Sequence, residues 1–411
     1  MQFRFLTAGL ISMALASPAF SSGAPTYQVL HDFRTEADGA SLASGVVTGV
    51  GGRLYGVARA GGSSNDGLAY SLSPPTNGGK WREHVIHNFS GGTDGAFPYS
   101  GFGMDAAGTL YANVLAPGGS QGIIYSLTPS KKSGSTSTEN TLFTFNGTDG
   151  DGPEGAPVVG TGGALYGVTV FGGTANQGVI YQLTPPAAPN DAWTATVLHS
   201  FSGADGKFPQ AGLTAGPNGV FYGTTTGGGS GTGGVVFQIS PPRGKSKMWT
   251  ETVLHAFAGG SDGFNPFDSG VTVDPSGALI GATLQGGSFN EGVTYRLTPP
   301  VKRGGAWTET VLHTFGDGAD GDEPLSRPVV AADGTIYGTL SGGGSAGLGS
   351  VYALVPQKGG TYTYQNVHAF TGGADGGNPF GDLSIDQSGV IYGVTAGDGQ
   401  SGVGTAFSVN P

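Results

Sequence analysis

Six histidines recur at one place in this chain, each two residues before a phenylalanine: His31, His87, His199, His255, His313 and His368. Imidazoles in such number are the material of metal centres and acid–base systems. Seven Asp-Gly pairs accompany them, at Asp38, Asp94, Asp149, Asp205, Asp262, Asp320 and Asp375. Repeated aspartates raise calcium, which takes about 6–8 oxygen ligands. The spacing opposes both readings. Each histidine lies on what the pattern makes an outermost strand, so the six cannot converge within about 2.0–2.1 Å of one ion. Phe143 holds the histidine's place in the third copy, which points to packing. One aspartate per copy cannot fill a calcium shell without carbonyls and waters. We therefore expect no cofactor, with calcium completed by carbonyls and waters left as the alternative. The histidine packs beside its phenylalanine, two residues on along the strand. The aspartate accepts nearby backbone N–H groups while its glycine turns with positive φ.

In a repeated sequence, the informative positions are those that break the repeat. Ten residues before a recurrent tyrosine the chain reads Gly45, Gly101, Ala156, Gly212, Gly270, Arg327 and Asp382. Five small residues precede two adjacent opposite charges. Arg327 and Asp382 are expected side by side at a channel mouth, with Asp268 near them. They form either an interblade ion pair or a polar contact site for a small ligand. The segment Phe289-Asn290-Glu291 is also irregular, and an exposed ring beside an amide and a carboxylate suits sugar recognition.

The elements that place these residues follow from one phrase. It reads VLHDF, VIHNF, TLFTF, VLHSF, VLHAF, VLHTF and NVHAF, closing on Phe33, Phe89, Phe145, Phe201, Phe257, Phe315 and Phe370. The closing residues are 56, 56, 56, 56, 58 and 55 apart. Between phrases come an Asp-Gly loop, a short apolar stretch, a tight turn, a strand such as FYGTT, a GG loop and a strand such as GVVFQI. That is four short strands per copy, a propeller blade. The mature chain opens on a lone outermost strand and ends on a third strand, Gly404 to Val409, that lacks its fourth. The first strand can therefore complete the last blade, which a ring needs and a solenoid does not. The expectation is an all-β, seven-bladed propeller of four-stranded antiparallel blades over residues 25–411. One large aromatic per strand, Tyr55 through Tyr392 in one and Tyr70 through Phe407 in the next, is read as packing between blades. Ile280 at one such place supports packing over a stacking platform.

Composition agrees. There are 81 Gly, 25 Pro and no Cys in 411 residues, with a net charge of −11. Glycine without a G-X-Y period excludes collagen, and 10% aromatics exclude a disordered linker. An acidic, charge-poor chain offers no basic track for nucleic acid. Residues 1–24 read as a signal peptide, with Arg4, an apolar run from Phe5 to Ala16 and cleavage between 16 and 24. No segment beyond it is apolar enough to span a membrane.

The text YGTTTGGGSGTGGVVFQISPP at 222–242, WTETVLHAF at 249–257 and FSGADGKFPQAGL at 201–213 resembles the GloVer tandem repeat of bacterial secreted and surface proteins. The resemblance covers residues 27–411 and implies no chemistry. Many such proteins end in a surface anchor. This chain ends at Pro411 without one, so a secreted or periplasmic location is expected.

No Ser-His-Asp logic, metal spacing or nucleotide cradle is evident. The leading expectation is a non-catalytic extracellular binding or interaction module, with carbohydrate among the ligands it could take. A polysaccharide or a surface protein would be its partner. A carbohydrate-active hydrolase or lyase is the second reading, with Asp268 and Asp382 as carboxylates. A structural surface protein is the third. Three or more convergent charged groups in the mouth would favour the enzyme.

Overall fold

The computed structural model describes residues 25–34, 37–42, 44–76, 78–116, 121–130, 135–188, 191–302, 304–316 and 320–411. The expected signal peptide, 1–24, lies outside them. Seven antiparallel sheets form the ring. The first blade runs outward through Val47–Thr48, Leu54–Ala58, Leu68–Ser73 and Arg82–Asn88. The seventh is closed by the N-terminal strand. Thr26–Asp32 pairs with Thr405–Asn410, Tyr27 opposite Val409 and His31 opposite Ala406. The ring is thus fastened by both ends of the chain, as the strand count implied.

Each seam between blades is filled by two rings. The Phe that closes one blade's outermost strand meets the third-strand aromatic of the next blade. The pairs are Phe33–Tyr70, Phe89–Tyr125, Phe145–Tyr181, Phe201–Phe237, Phe257–Tyr295, Phe315–Tyr352 and Phe370–Phe407. Their centroids lie from 4.9 Å in the first to 5.6 Å in the last, in edge-to-face or tilted geometry. All fourteen rings are buried. The glycine of strand two exists for the same reason. At Gly223 a Cβ would run into the Phe237 ring that crosses it.

A β-bulge sits at one place in all seven outermost strands. Val236 pairs with His255 and Phe237 with Val253, leaving Leu254 over. The bulge re-aims the end of the strand. His255 and Phe257 then share a face, with rings 4.8 Å apart.

Prolines fix the inner rim. Pro98, Pro153, Pro209, Pro266, Pro324 and Pro379 each lie against the last glycine of the preceding blade's GG loop, and Leu42 does so in the first blade. The residue before each proline has positive φ, from Asn378 at 51° to Gly152 at 64°. A glycine with no side chain is what lets the proline ring sit there, as at Gly178 under Pro209.

Three seam tyrosines, Tyr70, Tyr125 and Tyr295, bury a hydroxyl with no hydrogen-bond partner among the described residues. The Tyr352 hydroxyl instead bonds Thr294 Oγ1 at 3.0 Å. Phe237 and Phe407 show that the seam accepts phenylalanine. Tyr70→Phe, Tyr125→Phe and Tyr295→Phe should therefore each leave stability unchanged or raise it by about 1 kcal/mol, while Tyr352→Phe should lower it by about 1 kcal/mol. Urea midpoints of the four variants check this.

Candidate functional site

The seven Asp-Gly loops behave as expected. In each, the aspartate accepts the N–H of the residue after the closing Phe, as Ser90 to Asp94 at 3.0 Å and Ser202 to Asp205 at 2.8 Å. The following glycines all have positive φ. The sequence reading kept the histidines and these aspartates apart, and the structure joins them. Nε2 of His199, His255, His313 and His368 lies 2.9, 2.9, 3.1 and 3.0 Å from Asp205, Asp262, Asp320 and Asp375. His87 and Asp94 are 3.6 Å apart. No two of the six histidines share a seam, so they do not converge. Burial lowers the pKa of His31, His87, His313 and His368 below the usual imidazole value. They are held neutral beside carboxylates, a loop-fastening arrangement repeated around the rim.

The centre of the ring is different. All seven blades meet in a cavity of about 200 Å³ where the repeat breaks. Arg327 and Asp382 stand there as a pair between the sixth and seventh blades. The Arg327 guanidinium is ion-paired with Asp382 Oδ2, and its backbone N–H donates to Oδ1 at 3.0 Å. Its other terminal nitrogen donates to Thr214 Oγ1 of the fourth blade at 3.1 Å. The pair is thus an interblade tie and part of the cavity wall at once.

Asp268 lines the same cavity. Its blade has one residue more between proline and glycine than its neighbours: Pro266-Phe-Asp-Ser-Gly270 against Pro209-Gln-Ala-Gly212. Asp268 sits on that insertion with φ 35°, in a left-handed conformation unusual for a non-glycine residue. Burial, then the Asp382 charge, pushes its carboxyl up to about 7.

Two further residues were not found from the sequence. Each follows the inner-rim proline of its blade: Tyr99 and Glu154. Glu154 is pushed up to about 8 by burial and by Asp268, against a hydrogen bond from Gln210. Its Oε2 is buried without a partner. Tyr99 lines the cavity, with the Arg59 guanidinium 5.1 Å from its ring centre. Burial, then Asp268, pushes the Tyr99 phenol up to about 12. The signal was available in the column after the proline, which reads Tyr99, Glu154, Gln210, Phe267, Leu325 and Phe380. No two neighbouring copies agree there.

The structure does not bring Phe289, Asn290 and Glu291 to this cavity. Phe289 is 60% exposed. Asn290 Oδ1 accepts the Gly286 N–H at 3.2 Å, as Asn65 and Asn176 do in their own loops. It closes a turn that the repeat uses elsewhere.

The profile of the Gloeobacter/Verrucomicrobia repeat matches residues 83–274 and 245–411. The chain belongs to this repeat family. No protein with a curated description is similar to it. Among solved structures, the extracellular domain of a one-component system of B. thetaiotaomicron aligns over 93% of this chain and 41% of its own. It has 11% identity and a TM-score of 0.52. Polysaccharide lyase Uly1 aligns over 91% and 90%, at 11% identity and TM-score 0.45. Trypanosoma rangeli sialidase aligns over 95% and 60%, at 11% and 0.44. At 11% identity the first of these shows a likeness of fold and nothing of chemistry, and the other two carry no argument.

Glu154 and Asp268 have folded-state pKa values above their unfolded ones. The folded protein then holds protons that the unfolded chain releases, so stability rises as pH falls through this range. Glu83, Glu251 and Glu309, each pushed up to about 7, act in the same sense. The lowered histidines oppose this only below about pH 6.5. With chelator present, Tm should be higher at about pH 6.5 than at about pH 8.5. The double variant Glu154→Gln, Asp268→Asn should narrow the gap, as read by scanning calorimetry.

Proposed function

We propose that this chain is an extracellular module that binds a small polar ligand, carbohydrate in class, at the mouth of its central channel. One observation carries the reading. The cavity is where sevenfold repetition gives way to Tyr99, Asp268, Arg327 and Asp382, with Glu154 and Arg59 beside them. Carboxylates and guanidinium groups bond vicinal hydroxyls in pairs, and the Tyr99 and Phe380 rings offer faces for a sugar's C–H surface. The strained insertion that carries Asp268 supports it, since strain gathers where a site needs it. The signal-like residues 1–24 support an extracellular or periplasmic setting. Among the described residues, no helix is long and apolar enough to cross a membrane.

A second reading, an enzyme, draws support from the three charged groups that converge at the mouth, Asp268, Arg327 and Asp382. Asp268 raises Glu154, Asp382 raises Asp268, and with burial the two carboxyls are pushed up to about 8 and about 7. A carboxylic acid beside a carboxylate is the equipment of glycoside hydrolysis or of lyase chemistry. The site then turns over what it binds.

Binding to a polysaccharide and oligosaccharide array, followed by calorimetry on any hit, tests both. Arg327→Ala and Asp268→Asn should each weaken binding at least tenfold. Arg327→Ala should cost no more than about 1 kcal/mol of stability, since its ion pair is partly exposed. Release of reducing ends or unsaturated products from the bound sugar, lost in Glu154→Gln, would move the reading to the enzyme. A large loss of stability in Arg327→Ala with binding intact would make the pair a structural tie alone.

A further inference from the structure

At each seam, the residue six before the closing Phe of one blade comes to the His and Asp of the seam before it. In chain order that residue is Tyr27, Glu83, Glu139, Ala195, Glu251, Glu309 and Tyr364. The charges of Asp38, Asp94, Asp205 and Asp262 reach Glu83, Glu139, Glu251 and Glu309 respectively, each raising its neighbour's carboxyl. Tyr364 and Tyr27 instead stack on His313 and His368, with ring centres 4.8 and 3.7 Å apart. Their hydroxyls donate to the backbone carbonyls of Asp320 and Asp375. The remaining seam has Phe143 for the histidine and Ala195 for the glutamate, and both pack on one apolar cluster.

The two positions are thus related, with glutamate opposite four histidines, tyrosine opposite two and alanine opposite Phe143. Glutamate occurs only opposite histidine, and where the histidine is lost the carboxylate is lost too. A glutamate kept for solubility or for its own loop would not follow the histidine of another blade. At three of the four glutamate seams, those of Glu83, Glu251 and Glu309, Oε1 is buried with no hydrogen-bond partner among the described residues. At the fourth, Glu139 Oε1 takes the Thr141 hydroxyl. A buried carboxylate oxygen beside a second carboxylate is held either by a proton or by a cation between them.

We propose that the seam between the third and fourth blades binds a divalent transition-metal cation, zinc in class, through His199 Nε2 and one carboxylate oxygen each of Asp205 and Glu251. The three ligand atoms lie within 4.8 Å of one another. A tetrahedral zinc at about 2.0–2.2 Å from each would hold them roughly 3.4 Å apart. His199 Nε2 and an Asp205 oxygen stand at 2.9 Å, so the ion would replace their hydrogen bond and open them by about half an ångström while Glu251 rotates in. Asp205 keeps its other oxygen on the Ser202 N–H, the outer hydrogen bond that orients a ligating carboxylate. One imidazole and two carboxylates suit a first-row divalent ion better than calcium. Solvent reaches the seam, since the His199 and Asp205 side chains are 22% and 23% exposed, and a water completes the shell. The ion would tie two blades that share no strand pairing.

The chain supplies its own control in the Phe143/Ala195 seam. The double variant His199→Phe, Glu251→Ala copies a seam the ring already contains. The full chain, stripped with chelator, is titrated with Zn²⁺ by calorimetry and with Co²⁺ by visible absorption. The parent should take up zinc, give the absorption of tetrahedral cobalt, and melt higher with metal than without. The double variant should melt like the stripped parent and bind one equivalent less. Should it fail to fold, Glu251→Gln keeps the shape and should weaken that equivalent at least tenfold. No uptake by the parent would overturn the proposal and leave a shared proton between Asp205 and Glu251. Equal uptake by parent and variants would overturn it as well. Neither result touches the reading of the channel mouth, whose residues lie on the inner strands.

Discussion

The ring rests on one contact made seven times. A closing phenylalanine leaves its own blade and sets its ring against the third-strand aromatic of the next. Such pairs contribute about 0.5–1.5 kcal/mol each beyond the area they bury. This chain has no cysteine and so no disulfide to fall back on. Much else follows from the contact. The strand-two glycine clears space for the aromatic that crosses it. The repeat length is held near 56 because each closing ring must arrive at the same radius. Ring closure follows too, since the aromatic of the first blade needs Phe33 from the strand that completes the seventh.

A scaffold so regular leaves its irregularities to function. Seven near-equal blades bring seven equivalent positions to one axis, and most are glycine or alanine. The cavity exists because those positions are small. It has chemistry because a few are not. Arg327 and Asp382 replace two small residues, and an inserted residue brings Asp268 in. The cost is local: a left-handed aspartate, and carboxyls that burial keeps partly protonated. The blades are fastened by the outer strands and the seam rings, so the centre can vary without loosening the ring.

Much of this is legible in the sequence. The VLHxF phrase gives the blade count, and the unmatched terminal strands give the closure. The repeat columns show Arg327 and Asp382 as exceptions, and they do meet. Less legible is anything that crosses a seam. His199 and Glu251 sit in different repeats, so reading each repeat by itself separates an imidazole from its carboxylate partner. The bulge beside His255 has no residue signature of its own, because Leu254 reads as an ordinary strand residue. Glu154 and Tyr99 were missed for a different reason. They occupy a column with no consensus, and variation of that kind looks like loop noise until the structure places it on the axis. Phe289 stands out in the sequence by its type. An aromatic in a glycine loop suggests recognition, yet its neighbour Asn290 closes the same turn that Asn65 and Asn176 close.

The most direct test of this account is a double-mutant cycle across one seam, on Phe201 and Phe237, whose rings are 5.3 Å apart. Each is changed to leucine, singly and together, and urea unfolding gives the four stabilities. A favourable coupling of about 0.5–1.5 kcal/mol is predicted, because either substitution removes the ring pair and the second then has no pair to lose. Strictly additive effects would mean that the rings contribute only their buried area, and that the blades are fastened by something other than this contact.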